Sequence, residues 1–188
     1  MISVNNLTQN LKKNHIKFFC GVPDSILKEF TSSLKKNKLK NIVTANEGTA
    51  ISLACGYYLT SKSIPCVYMQ NSGLGNAINP LTSIAHKKVY SIPMVLIIGW
   101  RGSPGSNDEP QHVVKGLITK KILNLLKIKY ITLNNESDIK KIGAQGEQDR
   151  QNITTQQAAQ GLREQANISA QGTQDRANIK TQQQAQAE

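Results

Sequence analysis

The sequence predicts an α/β protein in which a parallel sheet is covered by helices on both faces, followed by a repetitive tail. Up to about Leu133, short and continuously apolar runs alternate with longer amphipathic segments. Strands that are apolar throughout are typical of parallel sheets buried on both faces. Beyond Leu133 the chain holds no aromatic residue and no proline, and from Ala144 it consists largely of Gln, Ala, Asn, Thr and Gly.

The first part predicts helices and strands in strict alternation, from apolar periodicity and capping residues. VNNLTQNLKKN predicts a helix, IKFFCGVP a strand, and DSILKEFTSSLKKN a helix opened by Asp24 or Ser25 as its cap. NIVTAN predicts a strand, EGTAISLACGYYLTSK a helix rich in small residues, IPCVYMQ a strand and GLGNAINPLTSIAHK a helix. IPMVLIIGW predicts a fully apolar strand, HVVKGLITKKILNLL a helix and KYITL a last strand.

Ligands of an open parallel sheet gather at the carboxyl ends of its strands. In this chain those ends carry Gly21 to Asp24, Asn46-Glu47, Asn71 to Asn76 and Arg101 to His112. We therefore expect the functional side chains in these four connections.

The sequence predicts three segments: a folded domain at 1–135, a linker at 136–143 and a Gln-rich repeat tail at 144–188. In the tail, AQGEQDRQNI, AQGLREQANI and AQGTQDRANI are copies of one unit, with glycines at 146, 161 and 172. Spacings of 15 and 11 residues correspond to about 3.7 residues per turn, which favours a supercoiled helix. One isoleucine per copy also fits a disordered polar tract, so both alternatives stay open.

Composition narrows the class of partner. The formal net charge is +11, but the lysines come as scattered pairs without aromatic interleaving. This pattern favours a solvated surface or an anionic ligand over nucleic acid.

Cys20, Cys55 and Cys66 lie in apolar contexts without C-x-x-C spacing, which predicts buried free thiols in a reducing compartment. A polar amino terminus and the lack of a long apolar run predict a cytoplasmic protein with no membrane partner.

Glu47 stands where the strand pattern NIVTAN passes into a helix. A carboxylate at a helix amino end is stabilised by the helix dipole and is often only a cap. The small residues that follow in ISLACGYY allow another surface to approach this helix closely, which suits a site shared between subunits.

Two further connections carry candidate residues. The run VYMQ ends in NSGLG, where glycine lets a ligand approach the backbone closely. It is neither a Walker loop nor a G-x-G-x-x-G fingerprint, and a tight strand-to-helix turn is the simpler alternative.

The loop GWRGSPGSNDEPQH is long and rich in glycine and proline, and long loops inside compact domains tend to be functional. A simpler interpretation of this loop is a surface ion pair between Arg101 and Asp108, with His112 as a helix cap. The segment GVPDS, which contains Asp24, is equally consistent with a turn followed by a helix cap.

Taken together, GVPDSILKEF, NEGTAISLACGYYL, VYMQNSGLGNAINPLTS and IPMVLIIGWRG, with DEPQH, resemble the pyrimidine-binding domain of the thiamine-diphosphate-dependent decarboxylases. The resemblance runs in order from about Met1 to Leu133. Within the family it is nearest to the branch acting on phosphonopyruvate and less close to the alpha subunits acting on sulfopyruvate. It implies the thiamine-diphosphate-binding fold and a carboxy-lyase that converts 3-phosphonopyruvate to phosphonoacetaldehyde and CO2, with sulfopyruvate as the alternative substrate.

The resemblance also implies residue roles. Glu47 matches the glutamate that hydrogen-bonds the aminopyrimidine ring and promotes the tautomer that takes the proton from the thiazolium carbon. Asp24 and His112 match polar residues that face the reacting carbon and relay protons. Arg101, with Asp24, is the expected contact of the anionic 2-oxo acid. The cofactor is expected to lie against the backbone at Asn71, Ser72, Gly73 and Gly75.

Family members hold Mg²⁺ and the cofactor's diphosphate in a second domain with a Gly-Asp-Gly motif, and this sequence contains no Gly-Asp-Gly. The resemblance therefore implies a diphosphate-binding partner domain or subunit, a homo- or hetero-oligomer, and a chain that is inactive by itself. The repeats are similar in composition to those of phage virion proteins. A non-enzymatic structural fusion carrying a retained domain is thus the remaining alternative.

Overall fold

The structure is a computed structural model, and it describes residues 2–142 together with residues 169, 171 and 174. Its described elements are α1 Val4–Lys13, β1 Phe18–Gly21, α2 Lys28–Lys36, β2 Lys40–Val43, α3 Glu47–Ser61, β3 Cys66–Gln70, α4 Leu74–Pro80, β4 Val95–Gly99 and α5 Pro110–Leu125. A 3₁₀ turn, Asn71–Gly73, precedes α4, and a π-helical turn, Leu81–Ala85, follows it.

The chain divides into two units, Met1–Ala144 and Gln145–Glu188. Apart from Ala144, the predicted repeats lie in the second unit, and they fall outside the described residues except for isolated positions. The predicted tail at 144–188 therefore stays a prediction, as does the choice between a helical and a disordered tail.

The four described strands form one sheet in the order β2-β1-β3-β4, and every pairing is parallel. At the carboxyl edge Gly21 pairs with both Val43 and Tyr68, and Gln70 pairs with Gly99. The predicted parallel sheet is confirmed, and its four carboxyl ends meet along one edge.

Helices cover both faces of the sheet, as predicted. Successive strand residues point to opposite faces, so Phe18 and Cys20 enter one core and Phe19 the other. The first core also takes Ala50, Ile51 and Ala54 of α3, Ala77 of α4 and Leu123 of α5. The second takes Leu7 and Leu11 of α1 and Phe30 and Leu34 of α2.

The start of α2 differs from the prediction. The helix begins at Lys28, and its N-cap position is Leu27, which makes no side-chain capping bond. Asp24 instead closes a turn, since Leu27 N donates to Asp24 O at 3.1 Å. The predicted cap at Asp24 or Ser25 is therefore wrong, because these residues form a separate turn before the α-helical ladder begins.

The predicted strand KYITL is also wrong, since residues 129–133 join no strand of the described chain. Ile128 packs against the first core and Leu133 against the second, so side-chain packing accounts for the apolar pattern. Residues 138–142 are helical, and Ile139 is only 5% exposed. The segment predicted as a linker, 136–143, thus includes residues of the packed core.

Among the described residues, no helix combines the length and the apolar character that a membrane crossing requires.

The three cysteines are free and buried, as predicted. Burial raises the pKa of the Cys20 thiol to about 12, and it also raises the pKa of the Cys55 and Cys66 thiols. Because the thiolate is the reactive form, we expect Ellman's reagent at pH 8 to label the folded chain at about a hundredth or less of the rate for the unfolded chain. Labelling with and without guanidinium measures the ratio, and fast stoichiometric labelling of one thiol in the folded chain would contradict it.

Candidate functional site

The carboxyl edge of the sheet brings the predicted functional connections together. Asp24 follows β1, Glu47 follows β2, Asn71 follows β3 and Arg101 follows β4. His112 lies in the first turn of α5. This edge is where open parallel sheets bind ligands.

Glu47 is the first residue of α3 and is half-buried. The cap of this helix is its neighbour Asn46, whose Oδ1 accepts a hydrogen bond from Thr49 N at 2.9 Å. The Glu47 carboxylate is directed elsewhere, and its Oε2 accepts a hydrogen bond from Asn76 Nδ2 at 2.8 Å. The capping function is thus already filled by Asn46, and the carboxylate is available for another role.

The glycine turn after β3 lies against this carboxylate. A Cβ at Gly73 would collide with the Cγ, Cδ and Oε1 atoms of Glu47, whereas a Cβ at Gly75 would meet nothing within 4 Å. A Cβ at Gly48 would lie 2.9 Å from the backbone oxygen of Asn76. Gly73 and Gly48 therefore allow α3 and α4 to approach closely, and in this structure the group that approaches Gly73 is the Glu47 side chain.

Asn71 points into the protein and is only 4% exposed. Its Nδ2 donates to Arg101 O and to Thr119 Oγ1, both at 2.9 Å, and its Oδ1 accepts from Arg101 N at 3.2 Å. The side chain thus ties the end of β3 to the end of β4 and to α5. The side chain is therefore engaged within the protein, and the predicted contact between the cofactor and the backbone of Asn71 stays a prediction.

Ser72 and Gln70 form a local pair at the same turn. Ser72 Oγ donates to Gln70 Oε1 at 2.6 Å, and both residues are half-buried. The hydroxyl therefore stabilises the turn, and the cofactor contact predicted for Ser72 remains a prediction.

Arg101 forms the ion pair that the sequence offered as the simpler alternative. Its Nε and Nη2 donate to the two carboxylate oxygens of Asp108 at 3.1 and 2.5 Å, and the Asp108 side chain is 13% exposed. The hydrogen bond from Arg101 holds the pKa of Asp108 below its ordinary value, with backbone donors at Gly102 and Glu109 adding to the effect. The substrate-binding role expected of Arg101 stays a prediction.

Asp24 lies close to this ion pair. Its Oδ2 accepts from Ile26 N at 3.3 Å and would lie 3.2 Å from a Cβ at Gly99, the last residue of β4. The hydrogen bond with Asp108 raises the pKa of Arg101, and the nearby charge of Asp24 adds to this increase. The structure therefore places Asp24 near Arg101, and the substrate contact expected of both residues stays a prediction.

His112 is not the helix cap that the simpler alternative proposed. The N-cap of α5 is Glu109, and His112 N donates to Glu109 O at 2.8 Å. The His112 backbone oxygen packs against Gly102, whose φ of 63° is the left-handed value that favours glycine. Within the described part of the chain, the buried Nδ1 of His112 has no hydrogen-bond partner. The proton-relay role expected of His112 stays a prediction.

Sequence reasoning missed Asn76 and the inward direction of Asn71. Gly73 and Asn76 are three residues apart, a spacing that places residues on the same helix face. That spacing was the available signal for Asn76. The bonds of Asn71 to Arg101 and Thr119 join residues 30 and 48 positions away, and no local pattern signals them.

The fold and site define a class of protein: an α/β domain whose polar side chains gather at the carboxyl edge of a parallel sheet, the edge where such sheets bind ligands. Residues 4–125 match the family described as "Thiamine pyrophosphate enzyme, N-terminal TPP binding domain". The chain belongs to this family, which confirms the resemblance found in the sequence.

Named relatives fall into two groups. The chain is 36% identical over 139 residues to phosphonopyruvate decarboxylase of Streptomyces viridochromogenes, a match that covers 73% of this chain and 34% of that protein. It is 34% identical over 119 residues to sulfopyruvate decarboxylase subunit alpha of Methanocaldococcus jannaschii, a match that covers 63% of this chain and 68% of that subunit. The chain thus spans about a third of the length of the phosphonopyruvate decarboxylases it matches.

Proposed function

We propose that this chain is the pyrimidine-binding half of a thiamine-diphosphate-dependent 2-oxo acid decarboxylase. The observation that carries the proposal is the Glu47 carboxylate, half-buried at the start of α3 in a domain of the thiamine pyrophosphate family. Its Oε2 is held by Asn76, and in the described chain Oε1 has no hydrogen-bond donor. A carboxylate oxygen without a donor suits a ring nitrogen that carries a proton.

The residues present fit the aminopyrimidine part of the cofactor. Bound thiamine diphosphate supplies a carbon nucleophile that also stores the electrons released on decarboxylation. In this proposal Glu47 Oε1 shares a proton with the pyrimidine ring, which is general acid–base chemistry. In the same proposal Asp24 and His112 move protons at the reacting carbon, and Gly73 and Gly75 lie beside the cofactor.

Mg²⁺ and the diphosphate are held, in this proposal, by a second domain, on another subunit or on a longer form of the same protein. The sulfopyruvate relatives support a two-chain arrangement, because the chain spans 68% of a protein named as an alpha subunit. The assembly is accordingly a homo- or hetero-oligomer. The structural-fusion alternative rests on the repeats, which lie outside the described residues.

The proposed substrate is 3-phosphonopyruvate. Its support is the 36% identity to a phosphonopyruvate decarboxylase over 73% of this chain. Arg101 Nη1, beside Asp24, suits the anionic end of such a substrate. Sulfopyruvate is the second candidate substrate. It is favoured because the chain spans 68% of the sulfopyruvate decarboxylase alpha subunit but only 34% of the phosphonopyruvate decarboxylase.

Reconstitution tests the function. The chain is mixed with a diphosphate-binding chain of the same source, or with the remainder of the Streptomyces viridochromogenes enzyme, and CO2 release is measured with Mg²⁺ and thiamine diphosphate. We expect turnover only when both components are present, and kcat/KM for phosphonopyruvate and sulfopyruvate identifies the substrate. A complex that binds the cofactor yet decarboxylates neither compound would contradict the proposal.

Gly73→Ala is expected to reduce turnover at least about tenfold, because the new Cβ displaces the Glu47 carboxylate. The fold should tolerate the change within about 1 kcal/mol, since Gly73 has φ of −74°, a value that alanine adopts, and a side chain can move aside. Gly56→Ala, in α3, is the matched control for the stability of the isolated chain, because its Cβ meets nothing within 4 Å. Steady-state kinetics and urea unfolding measure both effects, and unchanged turnover in Gly73→Ala would show that the carboxylate position is not critical.

A further inference from the structure

We propose that Asn76 is a positioning residue that acts through Glu47. Its side-chain amide holds Oε2 of the carboxylate and thereby presents Oε1 to the cofactor's pyrimidine ring. This inference rests on the proposed function and deepens it, because it assigns different roles to the two oxygens of Glu47.

The contact that carries the inference joins two elements. Asn76 Nδ2 donates to Glu47 Oε2 at 2.8 Å, across 29 residues of sequence. The backbone oxygen of Asn76 also lies against Gly48, since a Cβ there would come within 2.9 Å of it. Asn76 therefore contacts the first turn of α3 through its side chain and its backbone, and this double contact fixes where α4 presents the amide.

The opposite oxygen is placed by Gly73. A Cβ at Gly73 would collide with Oε1, so this oxygen lies directly over the backbone of the turn. A half-turn about the Cγ–Cδ bond of Glu47 only exchanges two equivalent oxygens, but a partial rotation would break the bond to Asn76. The amide thus fixes the plane of the carboxylate, so that one oxygen faces Asn76 and the other lies on the opposite side.

The chemistry of an amide suits this position. The Asn76 Nδ2 group donates hydrogen bonds and does not ionise, so it does not compete for the proton that Glu47 shares with the ring. A carboxylate at the same place would repel Glu47, and an ammonium group would form a competing ion pair. Residues that orient a functional group in this way typically change its performance 10- to 100-fold when they are removed, on the order seen for outer-shell partners of metal ligands.

The first test uses the isolated chain without cofactor. The side-chain amide resonances of Asn76 are compared by NMR in the wild type and in Glu47→Ala. Asn79 is the internal control, because it is exposed on the same helix and its side chain makes no hydrogen bond within the described chain. We expect the Asn76 amide signals to shift and those of Asn79 to stay in place; unchanged Asn76 signals would show that the contact is absent in solution.

The second test uses the reconstituted enzyme and a double-mutant cycle. Asn76→Ala is expected to slow deuterium exchange at the thiazolium carbon about tenfold or more without changing cofactor affinity, while Asn79→Ala leaves the rate unchanged. In a Glu47→Gln background, Asn76→Ala should slow exchange by less than about twofold, because both changes affect one unit.

The outcomes separate this inference from the proposed function. If Glu47→Gln does not slow exchange, the proposed function itself fails. If Glu47→Gln slows exchange but Asn76→Ala does not, only the positioning role is overturned. An equal loss from Asn76→Ala in both backgrounds would likewise overturn it, because Asn76 would then act independently of Glu47.

Discussion

Glu47→Gln is expected to slow decarboxylation by the reconstituted enzyme by a factor on the order of a hundred or more. The substitution keeps the size of the side chain, and the new amide oxygen can still accept the hydrogen bond from Asn76 Nδ2. The change therefore removes the ability to share a proton while leaving the contact between α3 and α4 in place. Steady-state turnover and the melting temperature of the variant measure the two effects separately.

Asn46→Ala is the matched control for Glu47→Gln. It removes the cap of α3, a loss of about 1 kcal/mol in the free energy of unfolding, and retains the carboxylate. If Glu47 serves only the helix dipole, Glu47→Gln costs at most about 1 kcal/mol and turnover changes little. Wild-type turnover in Glu47→Gln would remove Glu47 from the mechanism and most of the support for a decarboxylase half.

Asn71→Ala is expected to lower the free energy of unfolding by about 2–4 kcal/mol. The residue is 4% exposed, and its amide satisfies the backbone N and O of Arg101 and the hydroxyl of Thr119. Truncation removes three hydrogen bonds from buried or half-buried groups, although the Thr119 hydroxyl keeps its bond to Lys115 O, and it opens a small cavity at the carboxyl edge. Urea unfolding of residues 1–188 gives the value.

Ser72→Ala is the neighbouring control for Asn71→Ala. It removes one hydrogen bond, to Gln70, at a half-buried position, so its expected cost is at most about 1 kcal/mol. An Asn71→Ala chain as stable as the Ser72→Ala chain would show that the connection between β3, β4 and α5 does not depend on the Asn71 amide.

The fold was predictable where local pattern and packing agree. The runs that became β1, β3 and β4 are apolar because both faces of the sheet are covered, and α3 starts at Glu47, as its sequence pattern predicts. KYITL has a similar apolar pattern, but its last residue, Leu133, and the preceding Ile128 pack against opposite cores, and residues 129–133 join no strand of the described chain. For this run the apolar content reflects partial packing against the cores and does not produce strand pairing.

The candidate site was predictable to the level of its loops. Glu47 could be singled out because a carboxylate at a helix start follows a strand, and Arg101 with Asp108 because opposite charges share one loop. The partner of Glu47 was not predictable in the same way, since the hydrogen bond to Asn76 depends on how α4 packs across α3. Asn71 was not predictable for the same reason, since its side chain bonds to residues 30 and 48 positions away in the sequence.

Cofactor titration of the separate and combined components tests most directly whether this chain supplies the pyrimidine half of the enzyme. Calorimetry would follow thiamine diphosphate, with Mg²⁺ present, added to this chain, to the diphosphate-binding component and to their equimolar mixture. We expect binding tighter than about 10 μM only in the mixture, a free energy of about −7 kcal/mol that neither component reaches alone. Binding by the mixture that is no tighter than binding by the diphosphate-binding component alone would contradict the proposed division of the cofactor between two halves.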